Sequence, residues 1–223
     1  MFAKGAPPVP SPNGQYDSIL FDFDGVLADT EPVHWACWAE VVRPLGIDLD
    51  WETYRRIGIG STDRSLCEAI ANLPQPRVSV QQVLDKYPAK RLLFLHKANA
   101  LASVSKATIE LLTYLSDYGL AVVTSSAASE VEPLLEQAGI RQYFGALVAA
   151  DDVQHHKPAP DPYLLAAELL HARHPLVIED SATGVASACA AGFDVVKLAT
   201  PAELAEVLKT ALAEAAFKAS KRI

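Results

Sequence analysis

The second half of the chain alternates short apolar runs with longer stretches in which apolar residues recur at helical spacing. The apolar runs are "LAVVT", "GALVAADD", "PLVIED" and "DVVKL". Continuous apolar runs of this length are typical of strands buried on both faces, and helices between successive strands cover a parallel sheet. The pattern predicts an α/β fold, a Rossmann-like doubly wound parallel sheet. In "PDPYLLAAELLHA", we expect Asp161 as helix N-cap and Pro162 as the first helical residue.

An earlier run of the same character, "YDSILFDFD", predicts the first strand of the sheet. About a hundred residues separate it from the next strand, whereas a βαβ unit needs roughly 30. The intervening sequence is helical in pattern, with a break expected at Pro88. We therefore expect an all-helical cap domain inserted into the core, and a disordered segment rich in Pro, Gly and Ser before it. The expected bounds are 1–15 for the disordered segment, 16–30 and 106–223 for the α/β core, and 31–105 for the cap.

The composition is that of an ordinary globular protein. The chain has 223 residues, of which 50% are hydrophobic and 21% charged, and its formal net charge is −8. This balance offers no basic footprint for nucleic acid, and no apolar stretch approaches the length of a membrane span. The N-terminus lacks the apolar segment of a secretory signal, and three scattered cysteines are typical of a reducing compartment. We expect a cytoplasmic protein with no nucleic-acid or membrane partner; the sequence does not indicate its oligomeric state.

Chemically active residue types follow four of the predicted strands, always at the carboxyl end. In open parallel sheets, ligands bind beyond the carboxyl ends of the strands, where the following loops converge. The candidate site residues, in chain order, are Asp22 and Asp24, then Thr124, Ser125 and Ser126, then Lys157, and finally Glu179 and Asp180.

Four converging carboxylates require a cation. Two carboxylates about 4 Å apart repel by about 4 kcal/mol at an effective dielectric constant of about 20. A hard ion with oxygen ligands, such as Mg²⁺, suits them, and a threonine with a lysine can hold an anion such as phosphate beside it. Taken singly, acidic residues at strand ends are usually turn formers, and a Ser/Thr cluster is usually a helix N-cap. The occurrence of all four groups at carboxyl ends favours a functional site.

Four motifs carry a family resemblance. In order, "FDFDGVLADT", "VVTSS", "KPAPDPY" and "VIEDSATG" resemble the motifs of the haloacid dehalogenase superfamily, most of all its phosphatase and β-phosphoglucomutase-like branch with a small helical cap. The resemblance covers the chain from Tyr16 to about Ala199. It implies a Mg²⁺-dependent phosphatase of a small phosphorylated metabolite, such as a sugar phosphate. An aspartate two residues after the nucleophile is typical of the family's phosphatases and mutases and absent from its dehalogenases.

The resemblance also implies a role for each residue. Asp22 is the nucleophile that becomes an aspartyl phosphate, and Asp24 is the general acid and base. Thr124 and Lys157 bind phosphoryl oxygens, with Ser125 and Ser126 as further substrate-binding candidates. His34 lies where β-phosphoglucomutases carry a cap histidine beside the general acid, although an ordinary helix residue is the simpler interpretation. The implied Mg²⁺ ligands are Asp22, the backbone carbonyl of Asp24 and Asp180, with Glu179 either binding the ion or supporting a ligand.

Two other functions stay open at this point. A β-phosphoglucomutase-like mutase needs the same catalytic set and an arginine that grips a second phosphate. Thr62 occupies the aligned position and Arg64 is displaced, so hydrolysis is favoured. A receiver-like regulatory domain also combines Asp, Thr and Lys on a doubly wound sheet, but has no insertion after its first strand. His155 and His156 are interpreted as loop residues, since adjacent histidines lack the spacing of a helical metal site.

Overall fold

The fold is built on a parallel sheet whose first strand lies at its centre. A computed structural model of the protein describes residues 15–74, 76–101 and 104–221. The sheet has five strands in the order β3-β2-β1-β4-β5, and every pair is parallel, which confirms the predicted fold class. Disorder is expected for the segment 1–15, of which residues 1–14 lie outside the described residues. The strands are β1 Ser18–Phe21, β2 Gly119–Val123, β3 Ala146–Val148, β4 Pro175–Glu179 and β5 Asp194–Lys197.

Helices cover both faces of this sheet. Alternate residues of β1, β2 and β4 point to opposite faces, so Ile19 joins a cluster with helices α6, α7 and α10, whereas Leu20 joins one with α8 and α9. This arrangement explains why β1, β2 and β4 each contain at least three successive apolar residues. The helices of this layer are α6 Lys106–Tyr114, α7 Ala128–Gln137, α8 Asp161–Leu170, α9 Ala182–Ala190 and α10 Leu204–Ser220.

Within the described residues, five further α-helices and one short 3-10 helix, Arg43–Leu45, lie between β1 and α6, and we call them the helical insertion. Most of their apolar residues, among them Trp38 and Ile70, form a cluster of their own. Cys37 of the first helix and Phe94 of the last pack instead into the main cluster beside the sheet. The insertion is therefore tied to the core through its first and last helices, and its division from the core near residues 31 and 105 stays a prediction. The helices are α1 Glu31–Val42, α2 Trp51–Ile57, α3 Asp63–Ala71, α4 Val80–Leu84 and α5 Tyr87–Leu101.

Two predicted helix boundaries are wrong. Helix α8 begins at Asp161 itself, with Pro160 as N-cap, and the Asp161 carboxylate lies 2.8 Å from Nδ1 of His155 instead of capping the helix. The break expected at Pro88 falls before it, between α4 and α5. Pro88 occupies the first turn of α5, where a missing backbone N–H costs no hydrogen bond. Within the described residues, no helix combines the length and apolar character needed to cross a bilayer.

The register of the sheet determines where the candidate residues meet. Phe21 is paired with Val122 on one side and with Ile178 on the other. Asp22 therefore follows β1 at the same level at which β2 ends and Glu179 closes β4. Because parallel strands share one direction, the loops that follow them converge at this edge.

Candidate active site

Lys157 is the centre of a buried charge network at the carboxyl ends of the strands. Its ammonium nitrogen lies 2.8 Å from Oδ1 of Asp22, 2.6 Å from Oε1 of Glu179 and 2.9 Å from the carbonyl oxygen of Val123. The Lys157 side chain is only 2% exposed. Burial alone would lower its pKa, but the adjacent carboxylate of Asp22 keeps the pKa well above the ordinary value. The lysine therefore stays charged, with one side of Asp22 bound to it.

Asp22 and Asp180 lie close enough to share a cation. Each offers an oxygen atom, as does Glu179, and the three atoms are within 4.8 Å of one another. Burial first, and then repulsion by Glu179, raises the pKa of Asp180 to about 7. Burial likewise raises the pKa of Asp22 well above its usual value, against the attraction of Lys157. A bound cation would relieve this repulsion, so the donor set fits a hard metal ion.

Glu179 belongs to this acidic group by distance, but its oxygen atoms are already occupied. Oε1 accepts hydrogen bonds from Lys157 and from the Tyr163 hydroxyl. Oε2 accepts from the backbone N–H of Asp180 and from both the N–H and the hydroxyl of Ser181. These bonds, with Lys157 the main contributor, offset burial and hold the pKa of Glu179 below its ordinary value. Glu179 therefore positions Lys157 and the start of α9.

Asp24 is held by four side chains. Thr30 and His34, at the start of α1, contact Oδ1, with the His34 Nε2 at 3.2 Å. Thr124 and Ser126 donate hydrogen bonds to Oδ2 at 3.3 and 2.8 Å. Burial would raise the pKa of Asp24, but the contacts with His34 and the hydroxyl groups lower it well below the ordinary value. The two aspartates of the first motif thus lie in opposite electrostatic settings.

His34 is not an ordinary helix residue in this structure. It is buried, and its ring stacks on Phe94 at a centroid distance of 3.9 Å, which orients Nε2 toward Asp24. Its place beside the general-acid candidate follows from the packing of α1 against α5, which the local sequence pattern does not reveal. The simpler interpretation of His34 therefore does not describe its surroundings.

Gly25 allows the first loop to approach Asp180. Its φ is +78°, in the left-handed region, and a Cβ atom there would lie 2.2 Å from Oδ2 of Asp180. Both the turn and the close approach therefore require glycine at this position.

The helical insertion covers the site through the loop between α2 and α3. The carbonyl oxygen of Gly60 accepts hydrogen bonds from Thr183 at 3.2 Å and from Ser125 at 3.4 Å. Ser125 therefore contacts the insertion, whereas Ser126 contacts Asp24. The cavity between the insertion and the strand ends is about 30 Å³, room for roughly two water molecules, and both serines line it with Asp22, Asp24 and Lys157.

The structure brings together all the candidate residues predicted from the sequence, and it adds others that were missed. Thr30 and Tyr163 end two of the quoted motifs, so the motifs contained a signal for both, but no role was assigned to them. Glu31, Tyr54 and Asp63 also line the cavity, from the insertion. No local sequence pattern marks these three residues, because they reach the cavity only through packing between parts of the chain that are distant in sequence. His155 and His156 lie outside the cavity lining; within the described residues, Nδ1 of His156 is buried without a hydrogen-bond partner.

The chain is similar to known proteins over most of its length. The family model described as "Haloacid dehalogenase-like hydrolase" matches residues 19–198. The fructose-1-phosphate phosphatase YqaB of Escherichia coli is 35% identical over 185 residues, which cover 82% of this chain and 96% of that protein. A phosphoglycolate phosphatase of Nitrosococcus oceani is 30% identical over 193 residues, which cover 82% of this chain and 84% of that protein.

A solved structure has the same fold. The crystal structure of CbbY from Rhodobacter sphaeroides in complex with phosphate is 28% identical in sequence to this chain and superimposes with a TM-score of 0.72. The match covers 81% of this chain and 84% of that one.

Proposed function

The chain belongs to the haloacid dehalogenase-like hydrolase family, and on that premise we propose that it is a Mg²⁺-dependent phosphatase of a small phosphorylated metabolite. The substrate class we favour is a sugar phosphate, and the reaction passes through an aspartyl phosphate. The observation that carries the proposal is the contrast between the two aspartates. Asp22 lies against a buried lysine, and Asp24, two residues later, is held by four donors.

Asp22 is the group we propose as nucleophile. Its carboxylate oxygen forms a bond to phosphorus while the bond from phosphorus to the ester oxygen breaks. Lys157, 2.8 Å away, opposes the rise in the pKa of Asp22 that burial causes, and it places a positive charge beside the phosphoryl oxygens. A covalent intermediate divides the slow hydrolysis of a phosphate monoester into two easier steps.

Asp24 supplies and removes the proton. In the first step it gives a proton to the oxygen of the leaving alcohol, and in the second it takes a proton from the water that attacks the aspartyl phosphate. The lowered pKa of Asp24 favours the base form needed in the second step. For the first step the carboxyl must carry a proton, and His34, whose Nε2 is 3.2 Å from Oδ1, is placed to share it.

The residues that would hold Mg²⁺ are Asp22, Asp180 and the backbone carbonyl of Asp24. A bound Mg²⁺ supplies positive charge that neutralises the phosphoryl oxygens and the acidic group. We assign Glu179 a supporting role, because five donors already occupy its two oxygens.

Hydrolysis is favoured over mutase chemistry by the loop that precedes α3. The Thr62 hydroxyl accepts the N–H of Ser65 as the N-cap of that helix, so it is engaged in the fold. The Arg64 side chain is 71% exposed and pairs with Glu68 at 3.7 Å. Neither residue lines the cavity, so neither supplies the strong grip that a second phosphate requires.

Release of phosphate from p-nitrophenyl phosphate tests this function. Purified protein with Mg²⁺ should turn the ester over repeatedly, and EDTA should stop the reaction until Mg²⁺ is restored. A receiver-like domain would accept one phosphoryl group per chain without turnover, so a stoichiometric burst alone would contradict the phosphatase.

The cavity must widen to admit a metabolite, which requires the insertion to move. A cytoplasmic location also stays a proposal, consistent with three free cysteines.

A further inference from the structure

We infer that the leaving group of the substrate is a neutral, hydroxyl-rich alcohol, and that esters with a second negative charge on the leaving group are poor substrates. The inference rests on the proposed phosphatase function and concerns the wall of the cavity opposite Asp22 and Lys157. That wall is formed by the helical insertion, and its chemistry differs from that of the phosphate side.

Glu31 is the first acidic group of this wall. It stands at the start of α1, and its Oε2 accepts a 2.7 Å hydrogen bond from the Tyr54 hydroxyl of α2. Among the described residues, no donor reaches its other oxygen, Oε1. Burial, followed by the nearby carboxylate of Asp24, raises the pKa of Glu31. Either protonation state of Glu31 can bond a substrate hydroxyl group, and neither brings positive charge to the wall.

Asp63 is the second acidic group. It begins α3, and its Oδ1 accepts the Trp38 indole N–H at 3.0 Å and contacts the Lys90 ammonium at 3.0 Å. Within the described residues, Oδ2 has no donor. Lys90 does not give the surroundings of Asp63 a net positive charge, because Glu130 lies 2.9 Å from the same ammonium group. One positive charge is thus shared by two carboxylates.

The wall contains no lysine or arginine among the described residues. Besides Glu31 and Asp63, the insertion contributes His34, Trp38, Tyr54, a serine, a leucine and backbone glycines to the cavity, and Nε2 of His34 is already paired with Oδ1 of Asp24 at 3.2 Å. Arg64 does not line this cavity; it lines a neighbouring cavity of about 250 Å³ that shares Asp63 and Ser125 with it, and its side chain pairs with Glu68. An incoming leaving group therefore meets acceptor oxygens and hydroxyl groups, but no ammonium or guanidinium group other than Lys157 on the phosphate side.

Such a wall distinguishes leaving groups by charge. A hydroxyl group donates to the open oxygens of Glu31 and Asp63, which would otherwise lose their water partners without replacement. A carboxylate or a second phosphate would instead stand beside carboxylates in a partly buried cavity, where like charges are strongly disfavoured. We expect a discrimination in kcat/KM on the order of a hundredfold between esters that differ in this charge alone.

Two matched pairs of esters test the inference. Glycerol 3-phosphate and 3-phosphoglycerate share a skeleton and differ in a hydroxymethyl group against a carboxylate. Fructose 1-phosphate and fructose 1,6-bisphosphate differ in a second phosphate. The kcat/KM of the full-length protein with Mg²⁺ should be about a hundredfold higher for the neutral member of each pair. p-Nitrophenyl phosphate serves as the reference for the phosphatase activity itself.

Variants assign the discrimination to the wall. We expect Asp63→Asn and Glu31→Gln, two nearly isosteric changes, each to narrow the ratio between glycerol 3-phosphate and 3-phosphoglycerate by about tenfold, mainly through KM. Arg64→Gln is the control, because Arg64 lies outside the cavity, and its ratio should equal that of the unmodified protein. Circular dichroism verifies that each variant is folded; if one acidic variant does not fold, the other carries the test.

The outcomes separate this inference from the proposed function. If no ester and no p-nitrophenyl phosphate is hydrolysed, the phosphatase itself is wrong. If p-nitrophenyl phosphate is hydrolysed but the anionic esters match or exceed the neutral ones, the phosphatase stands and the inference is overturned. The inference is also overturned, while the phosphatase stands, if p-nitrophenyl phosphate is hydrolysed but the neutral esters are not, or if Arg64→Gln selectively removes activity toward fructose 1,6-bisphosphate.

Discussion

The ammonium group of Lys90 lies 2.9 Å from Oε2 of Glu130, and both side chains are 0% exposed. Lys90 belongs to α5 of the helical insertion, and Glu130 belongs to α7, which follows the second strand. The pair therefore joins the insertion to the part of the chain that contains the sheet. Asp63 is a second partner of Lys90 at 3.0 Å, and the Phe94 ring lies 5.0 Å from the same nitrogen. The attraction of the two carboxylates outweighs burial and raises the pKa of Lys90.

Lys90→Met should destabilise the protein by about 3–5 kcal/mol, because it leaves the buried carboxylate of Glu130 and the half-buried carboxylate of Asp63 without their counter-ion. Urea unfolding followed by circular dichroism measures this loss. Replacing Glu130 by Gln in the same chain should recover part of it, since one uncompensated charge is then removed.

Lys97→Met is the matched control for this prediction. Lys97 is on the same helix and pairs with Glu40 at 2.7 Å, but the two side chains are 29% and 57% exposed. An exposed pair contributes at most about 1 kcal/mol. Equal losses for the two lysine variants would show that the buried pair has no special role.

The roles of Asp22 and Asp24 predict different losses of activity. Asp22→Asn should abolish turnover of p-nitrophenyl phosphate, because an amide is not a nucleophile toward phosphorus. Asp24→Asn should lower kcat by about 10²–10⁴-fold, the usual contribution of general acid–base catalysis. Asp29→Asn, at an exposed position of the same loop, is the control and should leave kcat unchanged. Substantial turnover by purified Asp22→Asn would exclude the covalent route.

Metal affinity should depend on pH through Asp180, whose pKa is raised to about 7 without a cation. A carboxyl with a higher pKa in the folded chain than in the unfolded chain stabilises the fold at low pH, and that stabilisation is lost as pH rises through about 7. Mg²⁺ must displace the proton at pH 6 but not at pH 8. We therefore expect about tenfold weaker apparent Mg²⁺ affinity at pH 6.

Thermal unfolding measures this pH dependence of Mg²⁺ affinity without any substrate. The rise in Tm that Mg²⁺ produces over an EDTA-treated sample should be larger at pH 8 than at pH 6. Asp180→Asn should show little Mg²⁺-dependent rise at either pH. The assignment of Asp180 as a ligand fails if this variant responds to Mg²⁺ as the unmodified protein does.

Gly60 should be essential for closure of the insertion over the site. Its φ is +71°, and a Cβ atom would lie 2.3 Å from Oγ1 of Thr183. Gly60→Ala should therefore lower kcat/KM by roughly tenfold or more, because the loop no longer docks correctly. Gly139→Ala is the control: its φ is +66°, but nothing lies within 4 Å of the added atom, so it should cost only about 1 kcal/mol of stability. Equal activities of the two variants would contradict the docking role.

Hydrolysis and isomerisation can be followed in one reaction. We expect β-glucose 1-phosphate, with a trace of glucose 1,6-bisphosphate, to yield free phosphate and little glucose 6-phosphate. The reason is that Thr62 is engaged as a helix cap and Arg64 is paired with Glu68, so no strong grip on a second phosphate is available. Rapid formation of glucose 6-phosphate without phosphate release would establish a mutase instead.

The sequence by itself determined the α/β architecture and the family. Apolar runs predicted buried parallel strands, and the structure confirms the parallel strands and the burial of β1, β2 and β4, because burial on both faces leaves a local signature in successive residues. The edge strand β5 is half-buried to exposed. It also placed Asp22, Lys157 and Asp180 at strand ends. Their meeting follows from strand direction, since parallel strands end at one edge.

Only the tertiary structure decided which side chains of the insertion lie next to those residues. His34 contacts Asp24 because α1 packs on Phe94 of α5. Lys90 binds Glu130, which lies about forty residues further along the chain. The absence of Arg64 from the cavity lining was likewise hidden, since a helix pattern gives the face on which a residue lies but not the neighbouring residue that it contacts. Such contacts depend on how one helical layer is rotated and closed against another. That rotation results from packing between residues far apart in sequence, which hydrophobic periodicity within one element does not encode.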